Sequence, residues 1–425
     1  MIQVSAAGSQ KCFNAPGSIL PHAENPIMST RVPDGPPRPM RVCVAAHACF
    51  LLAAIGMTAS FGALGTPDDT SDWKFSGDLR GGYFASERTA RDGAESDKDA
   101  FNARLRLAFE RGLGEGWSVR TRVAGRFSSA QNGTNIYLRS YAPTRSGAAF
   151  GDITLDEAYL GYQAPGDGLR LRVGRFQTAF AVPGVASKGL DRNDSPNTDV
   201  NWTDGVHLDL PVAGGWRGHV IGQYRNAKGS GAVAYAPLDF SDSNSRATLF
   251  LGLESTHRWG PIVQRMLSLT WMPDSLADRG LADPSRKDYL TIDAKLAAQW
   301  PLGTAGPRLV AATELGHAMN TPRDSATGTG GTGNAGGLAW QVQVSVYDFA
   351  PRHNLGVAVG HADAGWLISP DYRPNDKSME VRYQWRFLPK TSMEARVRER
   401  RELEHPAGTR ARVDHDLYVR LTHKF

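Results

Sequence analysis

Apolar and polar positions alternate along most of the chain after residue 72. In WKFSGDLRGGYF, Trp73, Phe75, Leu79 and Tyr83 fall on one face, and Lys74, Asp78 and Arg80 on the other. FNARLRLAFE sets Phe101, Ala103, Leu105, Leu107 and Phe109 against Arg104 and Arg106. WSVRTRVAGRF sets Trp117, Val119, Val123 and Phe127 against Arg120, Arg122 and Arg126. A period of two is the signature of a strand lying between two different media. The pattern continues through ITLDEAYLGYQ, GLRLRVGRF, GVHLDLPV, WRGHVIGQYR, RATLFLGLEST, VQRMLSLTWM, DYLTIDAKLAAQW, RLVAATELGHAM, AWQVQVSVYDF, LGVAVGHADA, KSMEVRYQWRF and SMEARVRER. It closes on DLYVRLTHKF, where Leu417, Val419, Leu421 and Phe425 oppose Asp416, Tyr418, Arg420, Thr422 and Lys424. Sixteen strands are predicted between Trp73 and Phe425.

The connections alternate between short and long. The short ones hold Gly, Pro and Asn, as tight turns require. The long ones are predicted at 87–100, 128–152, 177–204, 226–244, 273–287, 318–338, 364–376 and 403–413. An even strand number, with loops sorted by length to the two ends, predicts an all-β fold. It is a closed antiparallel transmembrane β-barrel with short periplasmic turns and long external loops. Closure pairs the last strand with the first and leaves no sheet edge. Aromatics near strand ends, Trp73, Trp117, Trp216, Trp271, Trp300, Trp340 and Phe387, fit interfacial girdles.

Composition changes this picture at one end only. The three cysteines, Cys12, Cys43 and Cys49, all precede residue 65. From Met40 the chain reads MRVCVAAHACFLLAAIGMTASFGALG, with a basic start, an apolar stretch from Val42 to Ile55, and small residues at Ala63 and Gly65. This is the pattern of a secretory signal peptide over 40–65. Its apolar stretch is shorter than the ~20 residues of a membrane helix. Residues 1–39 are Pro-rich and patternless. They read as a disordered extension from a start assigned too far upstream, with Met40 the true start. The barrel then occupies 66–425. The formal net charge is +5 for the whole chain, and removal of residues 1–65, with four basic and two acidic groups, leaves +3. So small an excess gives no argument for nucleic acid.

The chemistry lies on the inward faces. Arg382, Arg386, Arg396, Arg398, Arg400 and Arg420 come from the last three strands. Arg80, Arg104, Arg106, Arg120, Arg122 and Arg126 come from the first three, and Arg170 and Arg172 from the fifth. Closure makes most of these neighbours, so a basic pore wall is expected. Too few acids lie on the same strands to neutralise it. Guanidinium groups match phosphate and carboxylate. The opposite wall is mostly neutral inside, with Glu254 and Asp293 as charges. The long loop after GLRLRVGRF carries Lys188, Asp191, Arg192, Asp194, Asp199 and Asp204, and is the candidate constriction.

Sixteen strands with a long third external loop resemble the Gram-negative outer-membrane porins. DEAYLGYQAPGDGLRLRVGRFQTAF and FSGDLRGGYF are similar in style to porin strands, the phosphate-selective type included. The resemblance implies an inward-folded third loop, although the PEFGG-like sequence common there is absent. A terminal aromatic such as Phe425 resembles the signal read by the barrel assembly machinery. The implied function is a water-filled channel in the outer membrane for passive diffusion of small hydrophilic solutes. Anions are preferred, phosphate and small organic acids among them, and the channel is a monomer or a homotrimer in outer-membrane lipid. The competing class is a barrel enzyme, or a surface-binding barrel with an occluded lumen. Neither Gly-x-Ser-x-Gly nor His-Glu-x-x-His occurs, and no cofactor or metal site is expected. TGTGGTGNAGG at 327–337 lacks the Lys-Ser/Thr of a phosphate cradle and reads as flexible linker.

Overall fold

The computed structural model describes residues 73–129, 135–137, 152–194, 197–225, 233–277, 286–304 and 306–425. The extension at 1–39, the leader at 40–65 and the barrel's expected start at Thr66 lie outside the described residues. The strands are β1 (Trp73–Thr89), β2 (Glu95–Gly114), β3 (Trp117–Ser128), β4 (Asn135–Tyr137), β5 (Asp152–Gln163), β6 (Arg170–Phe176), β7 (Thr203–Val212), β8 (Trp216–Tyr224) and β9 (Ala247–Ser255). They continue as β10 (Ile262–Ala277), β11 (Arg286–Pro301), β12 (Arg308–Ala318), β13 (Leu338–Ala350), β14 (His353–Ala362), β15 (Asp376–Leu388), β16 (Thr391–Glu402) and β17 (Val413–Lys424).

Each strand pairs antiparallel with the next, and β17 returns to β1 from Asp78↔Lys424 to Thr89↔Val413. β4 stands outside this circuit. It adds three residues in parallel to the start of β5, inside the predicted loop 128–152. The result is a closed barrel of sixteen antiparallel strands. Two last backbone bonds, Gly77 N–H to the Phe425 oxygen and Phe425 N–H to the Gly77 oxygen, both 3.1 Å, seal the seam.

Burial is inverted relative to a water-soluble sheet. Val173, Val206, Leu267, Leu315, Val342 and Val397 are exposed on the outside, while Arg104, Glu314 and Gln341 are fully buried inside. That inversion suits a wall with hydrocarbon outside and polar groups within. Trp73, Trp117, Trp300 and Trp385 ring the short-turn end, and Trp271 and Tyr224 stand toward the long-loop end.

Three predicted loops differ. The first, 87–100, is mostly strand: β1 and β2 stay in register to Thr89↔Glu95, leaving residues 90–94 as the turn. Both faces of this hairpin tip are polar, so it has no apolar alternation to reveal it. The fifth, 273–287, is also shortened, because β10 continues past an irregularity at Met272–Leu276 to Ala277. The glycine-rich segment is organised, not a linker. Asp324 starts a helical turn, its backbone oxygen accepts from Gly328 N–H at 3.1 Å, and its carboxylate accepts from Gly333 N–H at 3.1 Å and Thr329 Oγ1 at 3.2 Å.

Candidate lumen and constriction

Arginines of β15, β16, β17, β1, β2 and β3 do converge inside the barrel, but as ion-pair clusters. Between Arg122 and Val123 of β3 the ladder slips. Arg122 faces Glu157 and Val123 faces Leu155, so Asp156 is the extra residue of a bulge on β5. The bulge turns two consecutive carboxylates inward. Asp156 binds Arg122 through two bonds of 2.8 and 2.9 Å and lies 2.9 Å from Arg106. Glu157 binds Arg120 at 2.7 Å and lies 3.2 Å from Arg122, and Arg120 also reaches Glu110 at 2.8 Å. In this cluster three arginines meet three carboxylates.

In the other clusters carboxylates are shared between arginines. Asp78 receives Arg104 at 2.9 Å and has Arg80 at 3.6 Å. Asp416 receives Arg396, Arg398 at 2.8 Å and Arg400 at 3.5 Å. Glu394 serves Arg420 at 3.0 Å and Arg382 at 3.3 Å, and Arg382 also binds Glu380 at 2.8 Å. Among the described residues, carboxylates match the arginines at β3–β5, where the bulge brings in Asp156 and Glu157, and one carboxylate, Asp416, is shared by three arginines.

Three predicted wall residues stand apart. Arg170 and Arg386 lie at the short-turn rim, half-exposed, beside Asp167 at 3.1 Å and Asp348 at 2.8 Å respectively. Arg172 faces inward but is turned onto His207 Nδ1 at 2.6 Å and the Phe176 ring at 5.0 Å.

The third long loop enters the lumen, which the sequence left open. Lys188 Nζ reaches Glu380 of β15 at 2.8 Å and sits 4.5 Å over the Tyr372 ring. Asp191 binds Lys295 of β11 at 2.6 Å and accepts from Ser268 of β10 at 3.0 Å. Leu190 N–H donates to Glu314 of β12 at 2.9 Å, and Val185 N–H to Ser345 of β13 at 3.0 Å. Arg192 donates to Gln223 at 3.0 Å. Asp194 braces the loop itself, accepting from Thr178 N–H at 2.7 Å. Burial pushes the Asp194 carboxyl up and the Lys188 ammonium down to about 8, with Arg192 and Glu380 opposing.

Asp199 is the loop acid that meets the arginine wall. It lies 3.9 Å from Arg126, and its backbone oxygen accepts from Arg104 at 2.9 Å. Asp191 and Asp194 are engaged with the far wall and the loop, so they do not confront the arginines as a row. Asp204 is not in the loop at all. It pairs with Arg175 on the outward face of β7, in the same parity as exposed Val206. The sequence also passed over Lys295, whose ammonium lies 2.6, 3.5 and 2.8 Å from Asp191, Asp293 and Glu314. Among the described residues those three acids are the group with metal-ligand spacing. Lys295 supplies the positive charge at their centre.

A second inward segment had gone unrecognised. Residues 363–375 fold down over the third loop. Trp366 Nε1 donates to the Leu190 oxygen at 2.9 Å, Ser369 Oγ to the Gly189 oxygen at 2.9 Å, and Tyr372 Oη to Gln341 at 2.8 Å. Leu190, Leu238, Met272, Tyr289, Trp366, Leu367 and Ile368 form one apolar cluster above it. Gly316 and Gly360 lie beneath the Trp366 and Tyr372 rings, where a Cβ would collide. The signal was the apolar run Trp366-Leu367-Ile368 inside a predicted external loop.

The two segments cover β11 to β14. Glu314, Gln341, Gln343 and Ser345 are at most 1% exposed, whereas the side chains of Arg80, Arg120 and Arg400 keep 22, 22 and 23%. On the arginine side Arg80, Arg120 and Arg400 keep that surface, while Arg104, Arg106 and Arg126 of the same wall are buried.

The geometry is that of the Gram-negative outer-membrane porin fold. OprB of Pseudomonas putida is similar over 83% of this chain and 94% of its own, with 10% identity and a TM-score of 0.56. OpdL of Pseudomonas aeruginosa is similar over 83% and 99%, with 13% identity and a TM-score of 0.51. OccK8 (OprE) of the same species is similar over 83% and 98%, with 11% identity and a TM-score of 0.50. At these identities the likeness is one of fold. No protein-family model matches the sequence, and no curated relative does.

Proposed function

We propose that the chain is an outer-membrane channel passing small hydrophilic solutes by passive diffusion, with a preference for anions, and that it performs no catalysis. One observation carries this reading. The inward segments pack against the side of the barrel lined by β11 to β14, and the opposite side, where Arg80, Arg120 and Arg400 keep exposed surface, is the one where, among the described residues, ion-paired arginines outnumber carboxylates around Asp416. A solute crossing the lumen meets guanidinium groups two residues apart on a strand, about 7 Å from one to the next. Phosphate and small organic acids fit that spacing. Export by the leader, insertion by the assembly machinery and residence in the outer membrane belong to the same proposal.

The test is conductance in a planar bilayer with a salt gradient. Stepwise currents and a reversal potential on the anion side are expected. A second reading, a barrel with an occluded lumen, draws on Arg104 and Arg126, which are at most 1% exposed beneath the third loop. Folded protein that inserts without current steps would favour it.

A further inference from the structure

Lys295 of β11 is aimed at a carboxylate from a distant part of the chain. Its Nζ lies 2.6 Å from Asp191 Oδ1 of the third loop and 2.8 Å from Glu314 Oε1 of β12. All three side chains are buried, those of Lys295 and Glu314 completely. The barrel register builds the group. Met266, Lys295, Glu314 and Gln341 face one another across β10 to β13, and Ser268, Asp293 and Gly316 form the next inward row.

The pocket is closed to water on both sides. Toward the short turns, Ala297 and Ala312 are the next inward register pair, packed with Val182 of the loop. Toward the mouth, the Trp366 ring occupies the space beside Gly316.

Three acids surround one amine, which is more than an ion pair requires. Asp293 stands 3.5 Å from Nζ, and among the described residues neither of its oxygens is hydrogen-bonded. A buried carboxylate left in that state is costly, and a proton to accept would relieve it. The other groups are fixed more firmly. Lys295 Nζ donates to the Phe180 oxygen at 2.7 Å, which sets its direction. Asp191 Oδ2 accepts from Ser268 Oγ at 3.0 Å, and Oδ1 accepts from Arg192 N–H at 2.5 Å. Glu314 accepts from Leu190 N–H at 2.9 Å and from Gln341, one on each oxygen. An amine so near a carboxylate oxygen is within range of the approach to its carbon, about 3–3.5 Å, from which a bond forms. Holding the pair there replaces a chance encounter with a fixed one.

We propose that Lys295 and Asp191 condense to an amide, a covalent cross-link between the third loop and the barrel wall. Nζ gives a proton to Glu314 and attacks Asp191 Cγ. The C–N bond forms, and Ser268 Oγ donates to Oδ2, where negative charge develops. A second proton leaves the nitrogen through Asp293. Both protons pass to Oδ1, the C–Oδ1 bond breaks, and one water departs. An ammonium and a carboxylate have become an amide and water, so the balance needs no oxidant, reductant or co-reactant. Exclusion of water then protects the product from hydrolysis. The inference needs the barrel to fold and does not need it to conduct.

Peptide mapping of the folded barrel, extracted in detergent, is the test. Trypsin cuts an unjoined chain after Lys188, Arg192, Lys287, Lys295 and Arg308. A joined Lys295 is no longer a cleavage site. One branched fragment is expected, residues 288–308 carrying residues 189–192, lighter than the two together by one water. The same chain digested before it has folded should give 189–192, 288–295 and 296–308 separately. Lys295→Met should leave 189–192 free and at full mass. Glu314→Gln, shown to be folded by its heat-modifiable migration, should leave Lys295 cleavable. Separate peptides from the folded, unsubstituted barrel would overturn the proposal. So would a loss of water that stays within 189–192 and persists in Lys295→Met, because Asp191 and Arg192 can close a cyclic imide without any lysine. A branched fragment in Glu314→Gln would overturn the part given to Glu314. A branched fragment in a barrel that passes no current would overturn the channel reading and leave the cross-link standing.

Discussion

Arg398 donates to Asp416 at 2.8 Å, and the same carboxylate also serves Arg396 and Arg400. One acid shared by three bases leaves local positive charge, with Arg400 keeping 23% of its side-chain surface. Arg120 and Arg122 differ, because Glu110, Asp156 and Glu157 match them and Arg106 one for one.

Ion preference should therefore be set more by the arginines around Asp416 than by those of β3. Replacing Arg396, Arg398 and Arg400 by Gln should move the reversal potential strongly toward cations at low salt. Replacing Arg120 and Arg122 by Gln should move it less per charge removed. Screening extends over about 8 Å at physiological salt, so both shifts should shrink at molar salt. An equal shift per charge in the two variants would contradict the cluster-by-cluster account.

Lys295 should hold the third loop against the wall. Its ammonium is fully buried between Asp191 of the loop and Glu314 of β12. Lys295→Met leaves those carboxylates uncompensated, a loss of about 3–5 kcal/mol for a broken buried pair. The barrel's own ladder does not pass through this contact, so the loop should loosen while the wall stays closed. Larger and noisier current steps, with normal heat-modifiable migration, are the expected record. Unchanged steps would place the constriction elsewhere.

The strands were legible because one face meets an apolar medium. Leu417 and Val419 against Asp416 and Tyr418 are enough to place β17. Where both faces are wet, as from Glu95 to Asp99, the same strand geometry leaves no trace in the pattern. The candidate site was less legible for two reasons. Charge balance depends on neighbours in the barrel, and a one-residue bulge at Asp156 adds an inward acid that strict alternation assigns differently. The destination of a loop depends on what it packs against. Asp204 was misplaced by parity: it falls just inside β7, where alternation turns it outward.

The inward segment 363–375 should narrow the mouth. Trp366 is completely buried between the third loop and Gly316. Trp366→Ala removes that contact, and large-to-small changes at buried aromatics cost about 3–5 kcal/mol. Protease cleavage after Arg373 should become faster in the assembled barrel, and conductance should rise. Equal cleavage rates in the two proteins would show that Trp366 does not pin the segment.

Phe425 should matter for assembly more than for stability. Its backbone closes two 3.1 Å bonds with Gly77, and its ring lies on the outer face against His423, 6.2 Å between centroids. Removing it deletes those bonds and one apolar side chain, together about 2–4 kcal/mol from burial and hydrogen bonding. The remaining seam still runs from Asp78↔Lys424 to Thr89↔Val413, so the barrel should refold in detergent with normal heat-modifiable migration. Recognition is a separate matter, because the assembly machinery meets the strand before it is paired. If the terminal aromatic is what it reads, the truncated chain should accumulate unfolded in the periplasm of cells while refolding in the test tube. Normal assembly in cells would leave Phe425 with only its place in the seam, and failure in both settings would make it a structural residue of the closure.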